Sequence, residues 1–184
     1  MVSLKNLKKL GVMFSLGLIL WANACIAQTP TANEQLGLKF DDRKWTVGWS
    51  QTNVHSRTRE WVVPGESVEN WHELITDEIF YGLNEQVSPT EFMDQFIASL
   101  KKVSRTATYQ VINKDDQSVM FEWKTAQEND KHPKIDAQYE LDRIITGKRG
   151  IYFIHYAIKD PNISQDNRLR WIKIFQSIKL QPVR

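Results

Sequence analysis

Apolar and polar residues alternate with a period of two in several stretches of the chain, which is the pattern of half-buried β-strands. The clearest stretch begins at Trp45, where Trp45, Val47 and Trp49 fall on one side and smaller or polar residues on the other. The pattern predicts strands over residues 45–50, 58–63, 74–81, 107–113, 118–125, 135–145 and 151–159. Helical spacing precedes the third strand, and we predict a short helical turn there, capped by Ser67.

Two other stretches have the 3.6-residue period of amphipathic helices. Ser88 is followed by Pro89 and then by Glu91, which is the pattern of a capping box at a helix start. The apolar stripe that follows consists of Phe92, Met93, Phe96, Ile97, Leu100 and Val103. Ser164 begins a second helix with inward positions Leu169, Trp171, Ile172, Phe175 and Ile178. The sequence therefore predicts helices over residues 88–104 and after 164.

Strands joined by hairpins, with helices inserted between them, are typical of an α+β fold with an antiparallel sheet. We predict about six to seven strands, with the two main helices packed on one face. The turn at residues 147–150 sets a register in which Asp142 is the direct cross-strand neighbour of His155. In the preceding hairpin, the apolar residues meet if Val111 lies opposite Val119.

The first residues have the three parts of an export signal. Lysines at positions 5, 8 and 9 precede a mostly apolar run over residues 10–21, and small residues follow up to Ala27. The apolar run is shorter than the roughly 20 residues that a membrane-spanning helix needs. The pattern predicts a signal peptide over residues 1–27, a linker over 28–43 and a single α+β domain over 44–184.

The processing of the predicted signal decides whether the exported protein is soluble or attached to a membrane. Cleavage after Ala27 gives a soluble protein, and cleavage after Ala24 is the alternative. Lipidation of Cys25 would instead tether the chain to a membrane as a lipoprotein. The residues just before Cys25 depart from the usual lipoprotein pattern, which favours the soluble form.

Composition excludes several classes of protein. Cys25 is the single cysteine, so the mature domain has neither an internal disulfide nor a cysteine-based zinc site. The chain carries 24 Lys and Arg against 22 Asp and Glu, and three of these lysines lie in the predicted signal. The remainder is close to neutral and lacks the positive field on which nucleic-acid binding depends.

His155 and Asp142 are the strongest candidate for catalysis. A histidine held by a carboxylate is part of a hydrolase triad or of the surroundings of a metal. No Ser or Cys motif supplies a nucleophile, so we interpret the pair as a structural cross-strand ion pair. A small hydrolase or metal-dependent enzyme built on this pair is the alternative.

Other polar residues carry weaker signals. The histidines at 55, 72, 132 and 155 share no spacing typical of metal ligands. Glu73, Asp77 and Glu78 form a small acidic cluster, which we interpret as a solvated face. The sequence thus predicts no cofactor and no metal site.

The order of elements resembles the PsbP-like fold, which photosystem accessory proteins share with DcrB-type envelope lipoproteins. The resemblance covers about residues 45–180. Residues 63–71 and 147–151 also resemble segments of exported proteobacterial proteins. The resemblance implies a binding or assembly factor and carries over no functional residue.

Together these features predict an exported envelope protein, periplasmic or secreted. We expect a non-enzymatic binding or accessory domain that takes an unknown protein, peptide or small ligand. Membrane attachment is expected only if Cys25 is lipidated.

Overall fold

The computed structural model describes residues 34–127 and 136–183. In chain order the strands are β1 Glu34–Leu36, β2 Thr46–Thr52, β3 Ser56–Val62, β4 Glu73–Tyr81, β5 Thr108–Lys114, β6 Ser118–Thr125, β7 Gln138–Thr146, β8 Gly150–Ile158 and β9 Leu180–Pro182. The helices are α1 Pro89–Val103 and α2 Gln165–Ser177, with a short 3-10 helix at Leu83–Glu85. The predicted α+β class is confirmed.

Seven strands form one antiparallel sheet in the order β2-β3-β4-β8-β7-β6-β5. Hairpins connect most neighbours, and the pairing of β4 with β8 joins the two halves of the chain. Strands β1 and β9 form a separate two-stranded sheet. Within residues 34–127 and 136–183, no helix is long and apolar enough to cross a membrane.

The two helices lie on opposite faces of the sheet, so the prediction that both pack on one face is wrong. Helix α1 packs against the face that carries Phe153, and α2 packs against the face that carries Tyr156. The physical reason is the central strand β8, in which every residue is buried. A strand buried on both sides needs a cover on each face.

Helix α1 begins as the sequence predicts. The Ser88 side chain accepts a hydrogen bond from the Glu91 backbone, and the Glu91 carboxylate accepts one from the Ser88 backbone. The apolar stripe then packs on the sheet. Helix α2 likewise has a serine N-cap: the Ser164 side chain accepts a hydrogen bond from the Asn167 backbone N–H.

Within the predicted linker over residues 28–43, residues 34–36 form strand β1. Glu34–Leu36 pairs with Leu180–Pro182, and the Glu34 carboxylate accepts a hydrogen bond from the Arg149 backbone. Leu36 is buried in the core below α2. The predicted signal peptide and Cys25 lie outside the described residues.

Two local predictions also need correction. Ser67 caps no helix: its backbone and that of Asn70 form a bridged turn, and its hydroxyl accepts from the Asn70 N–H. Val111 lies opposite Phe121 and not Val119, because Val119 pairs with Lys114 beside the turn and a bulge after Val111 then shifts the register by one residue. Phe121 and Val119 lie on the same face of β6, so the apolar faces are preserved.

Candidate functional site

Asp142 and His155 are direct cross-strand neighbours, which confirms the predicted register of β7 and β8. Asp142 Oδ1 lies 2.9 Å from His155 Nδ1, and both side chains are buried. Gly150 opens β8 against β4, and a Cβ at this position would overlap the Phe80 carbonyl. The pairing of β8 with both neighbours places His155 between Thr76 of β4 and Asp142 of β7.

Two further carboxylates converge on the imidazole. Glu140 Oε1 lies 3.2 Å from His155 Nδ1, and Glu78 Oε2 lies 3.6 Å from Nε2. Sequence reasoning assigned no role to Glu140, although it precedes Asp142 by two residues and shares its face of β7. Glu78 was predicted on a solvated face; it is buried, because β4 is an interior strand of the sheet.

Aromatic side chains enclose the cluster. The Trp123 Nε1–H group donates a hydrogen bond to Asp142 Oδ2 over 2.8 Å. The ring centroid of Phe153 lies 3.7 Å from that of His155, and that of Phe96, on α1, lies 6.2 Å away. Helix α1 therefore covers one side of the imidazole with a phenyl ring.

The surroundings raise the pKa values of Asp142, His155 and the nearby Glu60. Burial and the charge of Glu140 raise the pKa of Asp142. Burial alone would lower the pKa of His155, but the charge of Asp142 and the hydrogen bonds from His155 to Asp142, Glu140 and Glu78 together outweigh burial and raise this pKa well above 6.5. On the same face, burial and the charges of Glu78 and Glu69 raise the pKa of Glu60 to about 7.

The cluster contains more carboxyl groups than basic side chains. In the part of the chain that the structure describes, its carboxylates Glu60, Glu78, Glu140 and Asp142 have no ion pair with Lys or Arg. Glu60 Oε1 is buried without a hydrogen-bond donor, and the donor that faces the buried Asp142 Oδ1 is His155 Nδ1. A buried oxygen atom without a donor is costly in a protein interior unless a partner compensates it.

The arrangement provides ligands for a metal ion. Glu140, Asp142 and His155 each offer one ligand atom, and these atoms lie within 4.8 Å of one another. His55 lies in the turn before β3 and His72 just before β4, so neither joins them. His132 lies outside the described residues.

A separate groove opens on the other side of β6, near the start of α2. Its volume is about 480 Å³. Its lining is Thr108, Tyr109, Gln110, Glu122, Trp123, Lys124, Tyr139, Pro161, Asn162, Ile163 and Arg168. The Glu122 carboxylate accepts two hydrogen bonds from Arg168 and one from the Tyr139 hydroxyl. The groove is of a size that small ligands or a peptide side chain occupy.

A protein-family model matches residues 31–181. The chain belongs to this family. A search of curated proteins finds no match. Among solved structures, the chain is similar to the solution structure of the PsbP protein CyanoP from the cyanobacterium Synechocystis. That likeness has a TM-score of 0.42 and 11% sequence identity, and it covers 86% of this chain and 99% of that chain. It is the PsbP-type resemblance that the order of elements predicted.

Proposed function

We propose that the protein is an exported, non-enzymatic accessory domain that binds a partner in the bacterial envelope. The observation that carries the proposal is the surroundings of His155. Nδ1 faces Glu140 and Asp142, and Nε2 faces Glu78. A catalytic histidine needs one ring nitrogen on a carboxylate and the other on the nucleophile. Here both nitrogens face carboxylates.

The alternative, a hydrolase using His155 and Asp142, is tested by assay of the purified protein. Chromogenic carboxylic esters, phosphomonoesters and phosphodiesters report on the reactions that such a pair supports. We expect the same turnover rate from the wild-type protein and from the His155→Gln variant. Turnover that His155→Gln abolishes, while Glu122→Gln retains it, would establish the enzyme.

Partner binding is expected at the groove between β6 and α2. Gln110 lines the groove directly opposite Glu122 and is exposed. Replacement of Gln110 with a photo-crosslinking amino acid in living cells should give a discrete adduct. Val54, 70% exposed in the turn between β2 and β3, is the matched control and should give none. Identical adducts at both positions would contradict a specific partner at the groove.

Export is tested separately by intact mass. The small residues up to Ala27 support a mature chain that begins at Gln28. We expect the mass of residues 28–184. A diacylglycerol-modified Cys25 would place the protein on a membrane and contradict the soluble form.

A further inference from the structure

Two of the three distances among the ligand atoms of Glu140, Asp142 and His155 are those of ligands around one metal ion, and all three atoms lie within 4.8 Å of one another. From His155 Nδ1, Asp142 Oδ1 lies at 2.9 Å and Glu140 Oε1 at 3.2 Å. Atoms bound at about 2.0–2.2 Å to the same ion are separated by roughly 3.0–3.5 Å in tetrahedral or octahedral geometry. An ion can therefore enter with little movement of the backbone.

A second observation points to a missing cation. Asp142 is fully buried and its Oδ1 atom faces the other two ligand atoms, while Glu60 Oε1, on the same face of the sheet, is buried without a hydrogen-bond donor. Among the described residues, the three carboxyl groups of Glu78, Glu140 and Asp142 face a single imidazole, and no Lys or Arg pairs with them. Burial of uncompensated charge costs several kcal/mol as an order of magnitude. A divalent cation would remove this cost.

The groups around the three ligands are those that hold metal ligands in place. Glu78 faces His155 Nε2, the ring nitrogen that would not bind the ion, and can accept its proton. The Trp123 indole donates to Asp142 Oδ2, so Oδ1 is the oxygen that faces His155 and Glu140. Contacts of this kind set the orientation and tautomer of metal ligands.

We infer that Glu140, Asp142 and His155 bind one divalent first-row transition-metal ion, for which Zn²⁺ is the representative probe. One imidazole nitrogen with two carboxylate oxygens suits these ions, whereas Ca²⁺ and Mg²⁺ prefer oxygen ligands alone. The rings of Phe96 and Phe153 cover the site, so the ion has a structural role. Entry is through Glu78 and Glu140, whose side chains are 11% and 12% exposed. The inference goes beyond partner binding, because the ion lies inside the domain and not in the groove.

The test is metal binding by the full-length processed protein after treatment with a chelator. Equilibrium dialysis against Zn²⁺ should give one ion per chain, and Co²⁺ should give the visible absorption of a site with a nitrogen ligand. Glu140→Gln should weaken Zn²⁺ binding at least tenfold, and His155→Gln should abolish it. Glu122→Gln is the matched control, since this carboxylate is similarly buried but is paired with Arg168; it should bind Zn²⁺ as the wild type does.

Circular dichroism of each variant separates loss of the site from loss of the fold. If His155→Gln fails to fold, Glu140→Gln decides, because Glu140 lies at the edge of the cluster. Wild-type protein that binds no stoichiometric Zn²⁺ overturns the inference. Equal binding by wild type and a folded Glu140→Gln also overturns it, and would place the ion elsewhere. Neither result affects the crosslinking and turnover assays that test the proposed function.

Discussion

Buried carboxylates have different partners on the two faces of the sheet. On the α2 face each one has an arginine partner: Asp77 pairs with Arg59, Glu73 with Arg43, and Glu122 with Arg168. A hydroxyl or indole donor completes each set, from Trp61, Tyr156 and Tyr139 respectively. On the α1 face, among the described residues, carboxylates surround a single histidine.

Strand β4 shows the contrast at adjacent residues. Asp77 points to the α2 face and accepts from Arg59 and Trp61. Glu78 points to the α1 face, where the Thr58 hydroxyl and His155 are its neighbours. The same strand thus carries one carboxylate that is compensated within the chain and one that is not. A fold that supplies arginines on one face and omits them on the other leaves room for an external cation on the second.

The largest effect is expected from Asp77→Asn. This change leaves Arg57 and Arg59 beside a neutral amide in a buried position, and breaking a buried ion pair costs roughly 3–5 kcal/mol of unfolding free energy. Glu78→Gln is the matched change on the α1 face and should cost less than about 1 kcal/mol, since it reduces excess negative charge. Urea melts in the presence of a chelator measure both. Equal losses would remove the distinction between the two faces.

A somewhat smaller loss is expected from Phe96→Ala, which tests the cover that α1 provides. Phe96 packs edge-on against Phe121 and Phe153 but is only partly buried. Truncation should therefore cost about 3 kcal/mol, at the low end for phenylalanine. Leu169→Ala, at an exposed position of α2, should cost less than about 1 kcal/mol. If Phe96→Ala also cost less than about 1 kcal/mol, helix α1 would not be a stable cover for the cluster.

The smallest effect is a change in pH dependence at Glu60. Burial and the charges of Glu78 and Glu69 raise the pKa of its carboxyl from the ordinary value of 4.5 to about 7 in the folded chain. Between these values the folded state binds more protons, so the unfolding free energy falls as pH rises. Glu60→Gln should flatten this fall by about 2 kcal/mol between pH 5 and 8.

Chelator-treated melts at several pH values measure the slope. The exposed Glu85→Gln variant should keep the slope of the wild type. A Glu60→Gln variant with an unchanged slope would show that Glu60 ionises freely in the folded state.

Much of the fold follows from local patterns in the sequence. The bounds of α1 follow from its capping box and apolar stripe, and the β7–β8 register follows from a tight turn between strongly patterned strands. That register also places Asp142 beside His155. The apolar run of β8, which only His155 interrupts, indicates that both faces are covered, because half-buried strands alternate instead.

The rest of the candidate site depends on contacts that are distant in sequence. Glu78 reaches His155 because β4 pairs with β8, and many residues separate the two strands. No turn or short spacing specifies that pairing. The bulge after Val111 likewise leaves no local signal. The excess of carboxylates on one face emerges only when β3, β4, β7 and β8 are placed side by side.

The most direct test of the cation site is a crystal structure of the protein grown with Zn²⁺, with data collected on both sides of the zinc absorption edge. The account predicts one anomalous peak bound to His155 Nδ1, Asp142 Oδ1 and Glu140 Oε1, at about 2.0–2.2 Å from each atom. A peak confined to surface groups such as His55 or His72, with the His155 cluster unchanged, would contradict it.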